Sequence, residues 1–224
     1  MRRVAPGVAA VVFAGLAALT GCGSDAGAAT APISASAPAE LPAAAPAATS
    51  GLAGLAAVPG GFLRGVAGDP TQATGPFTRQ AFVDTLSAAP AKDLALLLNA
   101  GCKEGYQTFR VSPDRRKRVT VQLFKTASKP KALDLQKGFW SQTEHSKAFA
   151  VPGLPEALTD ARTEVVGVTG RIEAVAEASI TVGTMVAEVT VTQTGTLENA
   201  PVPDIRLATT ILRLQQARLT TKSG

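Results

Sequence analysis

His145 is the chain's only histidine, and it limits the chemistry available. A zinc site built on two or three imidazoles is excluded. A Ser-His-Asp hydrolase would have to use His145 as its base, yet no G-x-S-x-G sets a nucleophile on a strand-to-helix elbow. In Thr143-Glu144-His145-Ser146 the imidazole follows an expected helix end, where an exposed or capping histidine is the ordinary reading. Gly167-Val168-Thr169-Gly170 lacks the lysine and following helix of a phosphate loop. Glu156 and Asp160 are spaced to share a helix face as a carboxylate pair, but Pro152 and Pro155 point to a loop there. Cys102 follows an apolar run and reads as a buried, inert thiol, because a redox or metal role needs a second thiol or clustered histidines. No catalytic set, metal site or cofactor motif emerges from these residues.

Charge is the most informative polar feature. Residues 103–147 hold eleven Lys and Arg against four Asp and Glu, whereas residues 153–204 hold two against eight. Within the basic block, Arg115-Arg116-Lys117-Arg118 falls at an expected hairpin tip. Two readings apply. The charges solvate a turn and keep a strand edge from pairing with another chain, or they contact anionic lipid headgroups or phosphorylated wall polymer, where each basic residue contributes about 1 kcal/mol. The whole chain carries +5, of which Arg2 and Arg3 supply two. That balance is too mild for a dedicated nucleic-acid surface.

The elements that must position these residues are legible from about Phe62 onward. Thr78 to Ser87 reads as a helix capped by Thr78, with Phe77, Ala81, Phe82 and Leu86 at helical spacing. Pro90 and Gly101 frame a second helix carrying Leu94, Leu97 and Leu98. Tyr106–Ser112 and Arg118–Lys125 read as a hairpin turning at Pro113-Asp114. Ser128 and Pro130 open a helix running to about Thr143, with Ala132, Leu135 and Phe139 as its buried stripe and Leu133 and Trp140 beside it. Thr163–Thr169, Arg171–Glu177 and Ser179–Thr194 are strand-like, broken at Gly170 and Gly183. A last helix presents Ile205, Ala208, Leu212 and Leu219, widened by Ile211 and Leu214. The expected class is α+β, one domain over residues 62–224, with an antiparallel sheet and helices packed on one face. The repeated order strand, strand, helix suggests two ββα units.

The N-terminal residues have a different character. Arg2 and Arg3 precede an apolar run from Val8 to Leu19. This run is shorter than the ~20 residues that span a bilayer, and it fits a secretory leader. It ends in Leu19-Thr20-Gly21-Cys22, which resembles the lipobox of bacterial lipoproteins. That resemblance implies cleavage after residue 21, a diacylglyceryl group on the Cys22 thiol, and a stable anchor at the outer face of the cytoplasmic membrane. Residues 23–61 are Ala-, Pro-, Gly-, Ser- and Thr-rich, with Asp25 and Glu40 as their only charges. They read as a disordered tether reaching about 30–40 Å. Gly51 to Val58 is the more apolar end of it, an adhesive patch rather than pure linker.

The globular part resembles actinobacterial envelope lipoproteins without assigned activity. The Lys125-Thr126-Ala127-Ser128 exit from a strand, the Val151-Pro152-Gly153 loop and the closing Leu207-to-Leu219 helix carry the likeness. Such proteins include relatives of the extracellular sensor domains of bacterial Ser/Thr kinases and Mog1/PsbP-like lipoproteins. Three functions follow as expectations. The first is a non-enzymatic binding or accessory module of the cell envelope, partnered by the membrane and by no nucleic acid, with no protein partner indicated. The second is a carrier of an apolar envelope molecule in a pocket between sheet and helices. The third is a hydrolase using His145.

Overall fold

Most elements begin and end at residues whose backbone chemistry requires it. A computed structural model describes residues 51–65, 68–167 and 170–221, which fall within one compact unit. The expected leader, Cys22 and the tether up to residue 50 lie outside the described residues.

In chain order the elements are β1 (Leu63–Arg64), β2 (Gly75–Thr78), α1 (Arg79–Thr85), α2 (Pro90–Asn99), β3 (Glu104–Val111), β4 (Lys117–Lys125), α3 (Lys129–Trp140), β5 (Leu158–Val166), β6 (Arg171–Val182), β7 (Met185–Thr196) and α4 (Ile205–Thr221). Thr78 caps α1 by accepting from the Ala81 N–H at 3.2 Å, and Ser128 caps α3 by accepting from Lys131 N–H at 3.4 Å. Pro90 and Pro130 occupy first-turn positions, where the missing N–H costs no helical bond. The expected hairpin forms as β3 and β4. The later strands differ from expectation: β5 begins at Leu158, so Asp160 lies in a strand and not on a helix face with Glu156. β6 runs unbroken through Ser179 to Val182. The reversal follows at Gly183, whose φ of +58° is a left-handed conformation that glycine adopts without a Cβ penalty.

Among the described residues one antiparallel sheet has the order β1-β3-β4-β7-β6-β5, with β2 also paired to β3. The α+β class and the antiparallel sheet are as expected. The helices, however, cover both faces of the sheet and not one. On one face Val119, Val121 and Leu123 of β4, Ala176, Ala178 and Ile180 of β6, and Ala187, Val189 and Val191 of β7 meet Ala208, Ile211, Leu212 and Leu219 of α4. On the other, Phe124 and Val186 carry Phe77, Phe82, Val83, Leu97, Ala132 and Leu135 from the α1–α3 side. Side chains alternate along a strand, so each strand donates one register to each core. The two strand-strand-helix runs therefore share an order of elements but not a helix face.

The folded body also begins earlier than the expected boundary at residue 62. A 3-10 turn at Gly51–Gly54 leads into Ala56 and Ala57, both buried. The fully buried Gln215 of α4 accepts from the Ala57 N–H at 2.7 Å and donates to the Leu55 carbonyl at 3.0 Å. Arg218 donates to the Ala56 carbonyl. The apolar end of the expected tether is thus stitched onto α4 by both ends of one amide. Of the α4 stripe, Leu214 stays 40% exposed.

Candidate functional site

The face of β6 and β7 turned toward α1–α3 starts apolar at Val186 and becomes polar along the hairpin. Ser179 stands directly opposite Glu188, and Glu177 opposite Thr190. Glu188 is also opposite Gln122 on β4, which in turn is opposite Gln107 on β3. Directly opposed side chains lie about 5 Å apart at Cβ, so Ser179, Glu188, Gln122 and Gln107 form one polar row across the sheet, with Glu177 and Thr190 beside it. The Gln122 amide donates to Gln107 Oε1 at 2.8 Å.

Above the β6–β7 part of this row the helices leave a cavity of about 320 Å³, within the range of small-molecule sites. Its floor is Glu177, Ser179, Glu188 and Thr190; its walls include Phe82, Asp93, Phe139, Trp140 and Gln142. α3 brings Phe139 and Trp140 over the floor, and α2 brings Asp93. Phe82, Phe124 and Phe139 pack edge-on and tilted at 5.1 to 6.1 Å, which fixes the aromatic wall.

The three carboxylates of the cavity are not equivalent. Glu177 is held by Arg162, whose guanidinium donates to both of its oxygens at 2.6 and 3.1 Å. That bond, against the opposing effect of burial, drives the Arg162 guanidinium further toward its charged form. Asp93 accepts from the Ser87 hydroxyl at 2.5 Å and from the Gln142 amide at 2.6 Å. Glu188 has no hydrogen-bond or ion-pair partner among the described residues. Burial first, and then the charges of Glu177 and Asp93, push its carboxyl up to about 8. Two further polar atoms at the cavity are also unpartnered: the hydroxyl of Ser179, a residue only 1% exposed, and the amide oxygen of Gln142. In the sequence each of these three is an isolated polar residue in a different segment, with no spacing that joins them. Their single signal is that Glu188 follows Met185, Val186 and Ala187 as the first charged residue of β7.

The residues singled out from the sequence lie elsewhere or act indirectly. His145 is exposed and stacks on Trp140, with ring centroids 4.1 Å apart and planes 9° from parallel, and its Nε2 is 2.7 Å from the Trp140 carbonyl. Among the described residues no serine hydroxyl or carboxylate is hydrogen-bonded to it, so the imidazole buttresses a cavity wall. Cys102 is buried, its Sγ 3.5 Å from the Glu104 carbonyl, and burial pushes its thiol up to about 11. Asp160 is fully buried. Burial raises its carboxyl, but the N–H groups of Lys147 and Ser146 and the Arg162 guanidinium outweigh that and hold it below its ordinary value. Of the basic tip, Arg115 and Arg116 are exposed, while Lys117 is paired to Asp204 and Arg118 to Glu173, each at 2.7 Å. Cys22 lies outside the described residues. Among the described residues no group of three His, Cys, Asp or Glu side chains is placed to hold a metal ion, and no helix is long and apolar enough to cross a membrane.

No family model matches the chain, and no curated protein matches it. Among solved structures, the extracellular domain of PknH from Mycobacterium tuberculosis is similar with a TM-score of 0.37 and 9% identity, over 66% of this chain and 79% of that one.

Proposed function

We propose that the chain is a non-enzymatic binding module of the cell envelope, anchored at the outer face of the cytoplasmic membrane through lipidated Cys22, with the cavity over β6 and β7 as its ligand site. One observation carries the site: Ser179, whose buried hydroxyl has no hydrogen-bond partner, stands opposite the half-buried Glu188, which has no partner among the described residues, and both line an aromatic-walled cavity. Buried polar groups in folded proteins are nearly always satisfied, and a ligand would supply what these two lack. The same polar floor argues against carriage of a wholly apolar molecule, which would leave the Glu188 carboxyl and the Ser179 hydroxyl without a partner. Catalysis by His145 is disfavoured because its Nε2 is engaged by a backbone carbonyl and its ring by an indole.

The test is native mass spectrometry of the full chain purified from its own envelope. A small-molecule adduct that disappears in Ser179→Leu, a variant that fills the cavity floor, is the expected result. A lipid-sized adduct would replace this reading with carriage. Substrate turnover lost in His145→Ala would replace it with hydrolysis. The anchor is tested separately: Cys22→Ser should release the chain or leave an uncleaved precursor, and lipid labelling should vanish.

A further inference from the structure

The unpartnered polar groups of the cavity can all accept hydrogen bonds. Glu188, when ionised, only accepts, as does the amide oxygen of Gln142, which is unpartnered while the NH2 donates to Asp93. The Ser179 hydroxyl completes the set. Around these acceptors the fixed charge is negative. Asp93 is satisfied by two neutral donors, and of the two glutamates at the floor only Glu177 has a cation beside it, in Arg162. Gln122, the neighbour of Glu188 on β4, is neutral and turned to Gln107. The carboxylates do not converge as metal ligands. The opposite wall is apolar and aromatic, formed by Phe82, Phe139 and Trp140, and aromatic faces attract cations.

We propose that the cavity binds a small organic primary ammonium, its N–H groups met by Glu188, Ser179 and the Gln142 amide oxygen and its apolar body lying against Phe82, Phe139 and Trp140. This rests on the cavity being a ligand site and adds the chemistry of the ligand. Three acceptors match the three donors of an –NH3+ group. The ammonium would neutralise Glu188, the one cavity carboxyl without a hydrogen-bond or ion-pair partner among the described residues. Binding also carries a proton signature. Glu188 faces Glu177 (itself bonded to Arg162), Asp93 and the neutral Gln122, so it is largely protonated at neutral pH when the cavity is empty. An ammonium that pairs with its carboxylate must displace that proton.

The experiment follows Trp140, the only tryptophan in the chain, by fluorescence in the full-length protein. The probes are 2-phenylethylamine, the neutral 2-phenylethanol and the anion 3-phenylpropionate. The amine should bind in preference to both others. Its affinity should rise between pH 6 and pH 8 by up to about tenfold per pH unit, because the amine stays charged while Glu188 ionises. Glu188→Gln should weaken binding at least about tenfold and abolish the pH dependence, since a paired buried charge is lost. Ser179→Ala should weaken it by a smaller factor. Equal or tighter binding of the alcohol or the carboxylate, with Trp140 still responding, would overturn the ammonium and leave the cavity as a site for another ligand. No response of Trp140 to any probe, together with no adduct in the native mass spectrum, would overturn both.

Discussion

Trp140 and His145 stack face to face at 4.1 Å, and this pair sets the edge of the cavity. Trp140 is the last residue of α3 and His145 follows the Ser141 cap, where the chain turns back. The bond between the imidazole Nε2 and the Trp140 carbonyl makes the stack part of that turn. His145→Ala should therefore shift Trp140 emission and weaken ligand binding a few-fold. Its effect on stability should stay below about 1.5 kcal/mol, the upper range for one aromatic pair. His145→Phe should restore the stack and the binding. A catalytic histidine would not be rescued by phenylalanine, so measuring both variants separates the two roles.

Glu188 makes a stability prediction with a definite sign. Its carboxyl is raised from an ordinary 4.5 to about 8 in the folded chain. The folded state then holds a proton that the unfolded state releases, so stability falls as pH rises from about 4.5 and levels off above about 8. Glu188→Gln keeps the shape and removes the titration. The variant should melt at a higher temperature than the parent at pH 8.5, by several degrees, and close to it at pH 4.5. Thermal melts across that range measure the difference directly; curves that run parallel at all pH values would show that Glu188 is solvated.

The sequence made the elements legible wherever local chemistry decides them. Thr78 and Ser128 cap the helices that follow them, and the alternation of Val119, Val121 and Leu123 appears on one face of β4 as expected. What stayed hidden depends on contacts between distant segments. Placing α4 on the opposite side of the sheet from α3 requires knowing that Val186 pairs with Phe124, across two different hairpins. The docking of Gly51 to Val58 is written in Gln215, which lies far away in the chain and reads in isolation as an ordinary polar residue of a helix. The cavity joins Asp93 of α2, Gln142 after α3 and the β6–β7 floor, and no spacing in the sequence records that convergence. His145 and the basic tip are conspicuous by residue type. Glu188 is conspicuous only by environment.

Gln215 supplies a test of where the folded body begins. Its amide satisfies one backbone donor and one backbone acceptor of the 55–57 segment, and it is fully buried. Gln215→Leu keeps the volume and strands both backbone groups, at about 1–3 kcal/mol each when buried without a partner. The segment should detach before the rest of the domain unfolds. Limited proteolysis should then cut the variant between residues 51 and 61 at concentrations that leave the parent intact, while the β-sheet circular dichroism persists. Equal resistance of both chains would place residues 51–58 outside the cooperative unit.

The basic turn divides into two pairs with different expected behaviour. Lys117 and Arg118 are part-buried and bonded to Asp204 and Glu173, so neutralising them should cost up to about 1 kcal/mol each. Arg115 and Arg116 project from the turn, and Arg115 holds a left-handed φ of +58°. Arg115→Gly should stabilise the chain by about 1 kcal/mol, because glycine enters that conformation without a Cβ clash. Any affinity for an anionic surface rests on the outward pair. Arg115→Gln with Arg116→Gln should leave the melting temperature within a degree or two of the parent. It should also weaken binding of the unlipidated chain to vesicles containing phosphatidylglycerol, and the parent's binding should fall as salt rises and the Debye length shortens. Lys117→Gln with Arg118→Gln should do the reverse, lowering stability while leaving vesicle binding nearly intact. If the two double variants bind vesicles as the parent does, the turn serves only to solvate the hairpin tip and protect its strand edge.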